Sequence, residues 1–245
     1  GILRKRLSKK MNKIEDITFL YCLLERDESR FLYFEKNLKS FPFIQKFSAV
    51  NGYDPVETLD EMMQNDIVYN AEDLKFQKSW VDNNGATVLG DQQDAGTFGT
   101  LANWITKFKC LKYQVENELP YICIIEDDLI LKESFVEVIL ECVEDLKSNS
   151  RKTHARIAAW GECFVFSLEG ARRTLEMLLD IGFKHPIGKQ LSNEPPFSKN
   201  CMRRKHSEIR KGIIEKPYEL AVEKHKGNCV DRTLKFSDLD LKTHD

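Results

Sequence analysis

No two of the seven cysteines (Cys22, Cys110, Cys123, Cys142, Cys163, Cys201, Cys229) are spaced C-x-x-C. That excludes a zinc ribbon and a thioredoxin-type redox motif. The set is odd in number, and several members lie inside apolar runs, where a thiol packs as a small hydrophobe. Reduced cysteines in a reducing compartment are therefore expected. None of the thirteen asparagines begins a glycosylation sequon, which agrees. G-x-G-x-x-G is absent, against a dinucleotide-binding dehydrogenase. With 12 Gly and 7 Pro in 245 residues, collagen-like and low-complexity classes are excluded. An excess of one charge is also missing: 37 Lys and Arg against 39 Asp and Glu leave −2. Nucleic acid and membrane surface are thus disfavoured as main partners. The first apolar run covers only residues 17–24, far short of the ~20 that a membrane helix needs. Glu15 and Asp16 interrupt where a signal peptide would turn apolar. A cytoplasmic protein without a membrane span is expected, with residues 1–16 a basic tail or a remnant of expression.

What is present is globular: 42% hydrophobic and 31% charged residues. The run ITFLYCLL (17–24) has the length and β-branched content of a buried strand. Ser29 offers a cap to a helix carrying Phe31, Leu32, Phe34, Leu38 and Phe41, stopped by Pro42. FSAV (47–50) predicts a second strand, ended by the Asn51-Gly52 turn. Residues 55–95 show no period and read as irregular. Apolar positions at Leu101, Trp104, Ile105, Phe108, Leu111 and Val115 predict a helix over 100–118. YICII (121–125) is the most strand-like segment. Ser134 and Ser167 head two further helices, the second ended by Gly182, and residues 155–167 read as two strands joined at Trp160-Gly161-Glu162. Pro186, Pro195 and Pro196 argue against regular structure in 185–212, whose part 199–211 is strongly basic; a long surface excursion is expected there. Residues 213–222 would return to the domain. Alternating strands and helices with parallel connections give an α/β fold with a mainly parallel central sheet flanked by helices.

Three acids, Glu126-Asp127-Asp128, follow YICII directly. Adjacent carboxylates repel and gain nothing from a core. At the carboxyl end of a central parallel strand they stand where open α/β sheets bind ligands. Hard oxygen ligands suit Mg²⁺ or Mn²⁺, and such a cation can bridge to a diphosphate and neutralise a leaving group.

Around that triplet, residues 99–131 (GTLANWITKFKCLKYQVENELPYICIIEDDLIL) resemble the central block of glycosyltransferase family 25, the lipopolysaccharide-galactosyltransferase-like group. Three further segments agree in order: ITFLYCLLERDESR (17–30), FPFIQKFSAVNGYD (41–54) and FVFSLEGARRTL (164–175). One departure is that Ala102-Asn103-Trp104 stand where the family commonly carries Ser-His. The resemblance implies a single glycosyltransferase-A (GT-A) type domain. Residues 17–131 would be its nucleotide-binding half and 132–245 its acceptor half. It also implies transfer from a nucleotide sugar, a UDP-sugar above all, to a glycan or glycoconjugate hydroxyl with Mn²⁺ or Mg²⁺. Compact, anchor-free enzymes of large DNA viruses look similar; a viral member would work in the host cytoplasm.

By that resemblance, Leu24, Glu25, Arg26 and Arg30 face the nucleotide, an arginine there pairing with phosphate or ribose. Val50, Asn51 and Gly52 approach the base. Glu126 or Asp127 lies near the ribose, and Asp128 holds the metal, with Glu126 and His225 as further candidate ligands. Deprotonation of the acceptor hydroxyl needs a base if configuration inverts. Glu162, beside an indole that would raise its pKa, is the first candidate and Glu194 the second. The basic stretch 199–211 would close over the diphosphate or hold an anionic acceptor. Two other readings use the same triplet: a catalytically inactive binding domain of this fold, and a metal-dependent nucleotidyl- or phosphoryl-transfer enzyme. The latter would need a glycine-rich phosphate loop, which LLERDESR does not supply.

Overall fold

The computed structural model describes residues 14–24, 31–32, 34–35, 39–52, 54–68, 98–127, 129–131, 134–157, 163–203 and 214–215. In chain order the elements are β1 (Ile17–Leu23), β2 (Ile44–Ser48), α1 (Pro55–Gln64), α2 (Phe98–Glu116), β3 (Tyr121–Glu126), β4 (Ile130–Leu131), α3 (Phe135–Ser148), β5 (His154–Arg156), β6 (Cys163–Ser167), α4 (Leu168–Ile181), α5 (Ile187–Asn193), a 3-10 turn (Phe197–Asn200), β7 (Cys201–Arg203) and β8 (Ile214–Glu215). Six strands form one mixed sheet in the order β2-β1-β3-β6-β5-β7. β1 pairs parallel with β2 and β3, and β5 parallel with β7; β6 runs antiparallel between β3 and β5. Five strands therefore share one direction and end on one edge.

The sheet is buried on both faces, which is why β1 and β3 read as continuous apolar runs. Leu20, Ile122, Ile124, Phe164 and Phe166 face a layer built from α1, α2, α4 and α5, with Trp104, Phe108 and Leu191 in its centre. Phe19, Tyr21, Cys123, Ile125 and Val165 face α3, which buries Phe135, Ile139, Cys142, Val143 and Leu146. The result is a helix–sheet–helix sandwich. All six cysteines among the described residues are free thiols and buried. Burial pushes Cys110 and Cys123 well above the ordinary thiol value, so they pack as hydrophobes. Among the described residues no helix is long and apolar enough to cross a membrane.

Three expectations change. Residues 55–64 are helical, not irregular: the Asp54 carboxylate accepts from the backbone of Val56 and Glu57 at 3.0 and 3.1 Å, and Pro55 opens the first turn. The second strand spans residues 44–48 rather than 47–50, because the parallel register seats Ile44 against Phe19. Residues 187–203 are not a surface excursion: they form α5, the 3-10 turn and edge strand β7, and bury Ile187, Leu191, Phe197 and Cys201. Ser29 and Leu38 of the first predicted helix lie outside the described residues, but the backbone is helical at Phe31, Leu32, Phe34 and Glu35. The chain returns at 214–215, where β8 pairs antiparallel with β4 just beyond the acidic triplet.

His154 on β5 joins the sheet to the helix layer. Its ring stacks on Phe166 with centroids 4.7 Å apart, its Nε2 lies 2.9 Å from the Leu191 carbonyl, and its Nδ1 lies 2.6 Å from the Thr153 hydroxyl. A neutral ring protonated at Nε2 donates to Leu191 and accepts from Thr153. Full burial lowers the His154 pKa from 6.5 to about 4. Between those two pH values the unfolded chain takes up a proton that the folded chain refuses. Stability should therefore be intact above pH 6.5 and fall as the pH drops toward 4, by about 3 kcal/mol from this group. Urea unfolding of wild type and His154→Gln at pH 7 and pH 5 checks this. The wild type should lose more stability than the variant across that interval; equal losses would contradict the assignment.

Candidate active site

The shared edge gathers most of the described candidate residues. There β1 ends at Leu23 and Leu24, β2 leads into Val50-Asn51-Gly52, and β3 ends at Glu126 and Asp127. In open α/β sheets this carboxyl edge is where ligands bind.

Helix α2 ties two of these strand ends together. Thr106 accepts a hydrogen bond from the Val50 amide at 2.9 Å and donates to the Ala102 carbonyl at 2.7 Å. One residue on, the Lys107 ammonium forms an ion pair with Glu126 Oε1, and Asn103 donates to the same oxygen at 2.9 Å. Lys107 also donates to Asn103 Oδ1 at 2.9 Å, which closes a three-membered network. The Lys107 side chain is 1% exposed and the Glu126 side chain 13%. A charge removed from water this completely must be paired, and Glu126 supplies the pairing charge.

The backbone of the triplet is held from the opposite face. The buried Tyr21 hydroxyl donates to the Asp127 carbonyl at 3.0 Å and lies 3.5 Å from that of Leu129. Its ring packs on Phe34 with centroids 4.6 Å apart. The carbonyls on either side of position 128 thus converge on one phenol. Asp127 is itself buried.

The Val50–Gly52 turn is similarly fixed. The Asn51 carbonyl accepts from the Asp54 amide at 3.1 Å and from the Thr58 hydroxyl at 3.0 Å. The Ala49 amide donates to the Leu23 carbonyl at 3.0 Å, joining the turn to the end of β1.

Glu194 stands elsewhere, at the carboxyl end of α5. Its carboxylate makes an ion pair with Lys189 at 3.8 Å and lies 3.8 Å from His185 Nε2. Both thus belong to its own helix and the segment before it, not to the triplet. Glu25, Arg26, Arg30, Asp128, Glu162 and His225 lie outside the described residues. The strand ends flanking Glu162 do lie on the shared edge, with the Ile157 amide donating to the Cys163 carbonyl at 3.0 Å. Of the basic stretch, residues 199–203 close the 3-10 turn and form β7, and the Arg203 guanidinium donates to the Ser192 carbonyl. Among the described residues no group of three or more His, Cys, Asp or Glu is gathered to hold a metal ion.

Asn103, Thr106 and Lys107 were not among the residues expected from sequence. Their signal was available: three polar residues at i, i+3 and i+4, set within the apolar run Leu101–Phe108. A lysine between Thr106 and Phe108 on a buried helix demands a buried partner.

Residues 24–185 match the model of glycosyltransferase family 25 (LPS biosynthesis protein). The chain belongs to glycosyltransferase family 25. The matched region runs from the end of β1 through the triplet and α4 to the segment before α5. Residues after 185 lie beyond the match. A comparison with curated proteins finds no match. Among solved structures, the chain is similar to the crystal structure of a glycosyltransferase involved in the glycosylation of the major capsid of PBCV-1. That pair is 8% identical with a TM-score of 0.39, over 87% of this chain and 98% of that one.

Proposed function

We propose that this family 25 glycosyltransferase moves a sugar from a nucleoside-diphosphate sugar, a UDP-sugar, to a hydroxyl of a glycan or glycoconjugate. The observation that carries the proposal is the acidic triplet leaving β3 at the edge shared with β1 and β2. Its first carboxylate is fixed by Lys107 and Asn103, and its backbone by Tyr21.

On this reading the ends of β1 and β2 hold the nucleoside. Val50, Asn51 and Gly52 form a pre-organised wall for the base, and Leu24 with Glu25, Arg26 and Arg30 lines the phosphate side. Glu126 accepts hydrogen bonds from the nucleoside sugar.

A divalent cation, Mn²⁺ or Mg²⁺, fits the remaining chemistry. Glu126 is charge-balanced by a buried ammonium and is a poor metal ligand. That leaves Asp127 and Asp128 as hard oxygen donors, with His225 as a further candidate. When bound, the cation would neutralise charge on the diphosphate leaving group. Glu162, between β5 and β6 in sequence, is the base proposed to take the acceptor proton if configuration inverts. Glu194, engaged by His185 and Lys189, is the weaker choice. The half of the chain after β4 is proposed to receive the acceptor.

Titration of UDP by calorimetry tests the donor site. Affinity should be measurable with Mn²⁺ and fall by about tenfold or more with chelator, the diphosphate then facing the carboxylates unscreened. Equal affinity under both conditions would remove the metal from this account.

A further inference from the structure

Among the described residues at the shared edge, Glu126 is a carboxylate held by two side chains from one face of one helix. Lys107 and Asn103 stand a turn apart on α2 and converge on the same oxygen, Oε1. Asn103 turns its other polar atom, Oδ1, back to the Lys107 ammonium, so neither side chain can swing without breaking two bonds. Lys107 is buried, as are its neighbours on the helix, Trp104, Phe108 and Leu111.

A buried ion pair of this kind is weak as a stability device. An apolar side chain of similar volume usually serves a core as well or better. What the pair does give is a carboxylate with a fixed counter-charge, held in place at the point where β3 leaves the sheet.

We propose that Lys107 and Asn103 are positioning residues of the donor site: acting through Glu126, they set the affinity for the nucleotide while touching no substrate themselves. This rests on the donor reading above and adds two residues to it. The corollary concerns charge. Because Lys107 pairs with Glu126, its charge offsets one negative charge of the triplet at this edge. Fewer negative charges then face the incoming donor.

The test is calorimetry of UDP with Mn²⁺ on the whole chain as wild type, Lys107→Met, Lys107→Arg and Asn103→Ala, beside thermal unfolding of each. Lys107→Met should weaken UDP binding by about tenfold or more, since the carboxylate loses both its counter-charge and its anchor. Lys107→Arg keeps the charge and should recover part of that loss. Asn103→Ala should weaken UDP severalfold with an unfolding midpoint within a few degrees of wild type. If Lys107→Met does not fold, Asn103→Ala decides, because its removal strands no buried charge. Lower midpoints with undiminished UDP affinity would mean a purely structural pair and overturn the inference. Wild-type protein that binds no UDP overturns the donor reading and this inference with it. Wild-type binding that Lys107→Met and Asn103→Ala both retain overturns this inference alone.

Discussion

Asp128→Asn is expected to keep the unfolding midpoint of the wild type and to lose turnover by about two to three orders of magnitude. Asn is nearly isosteric with Asp, so the exchange alters charge with little change of volume between the buried neighbours Asp127 and Leu129. The fold therefore has no reason to register the change. A hard divalent cation does, because an amide oxygen carries no formal charge to offer it. The backbone on either side is held independently, by the Tyr21 hydroxyl at the carbonyls of Asp127 and Leu129, so the variant side chain should sit where the native one does. The check is UDP release from a panel of UDP-sugars, measured beside thermal unfolding. An intact variant that releases UDP at the wild-type rate would show that Asp128 is not part of the machinery.

Gly170→Ala is expected to destabilise the protein by about 3 kcal/mol, lowering the unfolding midpoint by roughly 6–12 °C. Helix propensity alone argues the opposite, since Gly to Ala inside a helix ordinarily gains about 1 kcal/mol. Space decides the sign. A Cβ at Gly170 would stand 2.0 Å from the Thr153 carbonyl oxygen and 2.7 Å from its C and Cα atoms, all of them backbone. Neither side can give. The Ser167 hydroxyl caps the start of α4 at the Gly170 amide, 3.0 Å away, and the Leu168 amide is bound to the Pro120 carbonyl at 2.9 Å. Thr153 is bound in turn to the Asn200 carbonyl at 2.9 Å and to His154 at 2.6 Å. Displacing it would disturb β5 and β7 together. A midpoint at or above that of the wild type would show that this contact is softer than described. The same geometry gives a physical reason for the glycine in the segment LEGARR that carries part of the family resemblance.

The long buried strands and the amphipathic helices were legible because their apolar runs are dictated by burial. β1, β3, α2, α3 and α4 lie within a residue or two of the expected bounds. Elements escaped where exposure diluted the pattern. β2 is an edge strand whose residues 45–48 are mostly exposed, so its few apolar positions drew the expected strand too far along the chain. In α1 the core receives Leu59 and Met62 from a largely polar helix; its clearest signal was the cap Asp54-Pro55-x-Glu57, not its period. In residues 185–203 the prolines read as breakers in sequence. Two of them stand where proline starts structure, Pro186 ahead of α5 and Pro196 ahead of the 3-10 turn, while Ile187, Leu191 and Phe197 carried the burial.

At the site, the triplet and the turn at residues 50–52 were legible from residue type and place in the β–α order. The network behind them was not. Asn103, Thr106 and Lys107 act across the space between α2 and two strand ends, and helical spacing shows only that they share a face, not what that face meets. Glu194 illustrates the converse. It looks available as a base in sequence, but it pairs with Lys189 and lies beside His185 on its own segment, because the chain around it folds into a helix rather than a loop.

A nucleotide sugar is proposed to bind at the carboxyl edge of the parallel half of the sheet, against the triplet. A crystal of the whole chain soaked with UDP and Mn²⁺ tests this most directly. Difference density should lie against the ends of β1, β2 and β3, with the uridine beside Val50–Gly52, the ribose within hydrogen-bond reach of Glu126, and a metal peak at Asp128. UDP bound at any other surface, with this edge empty, would contradict the account.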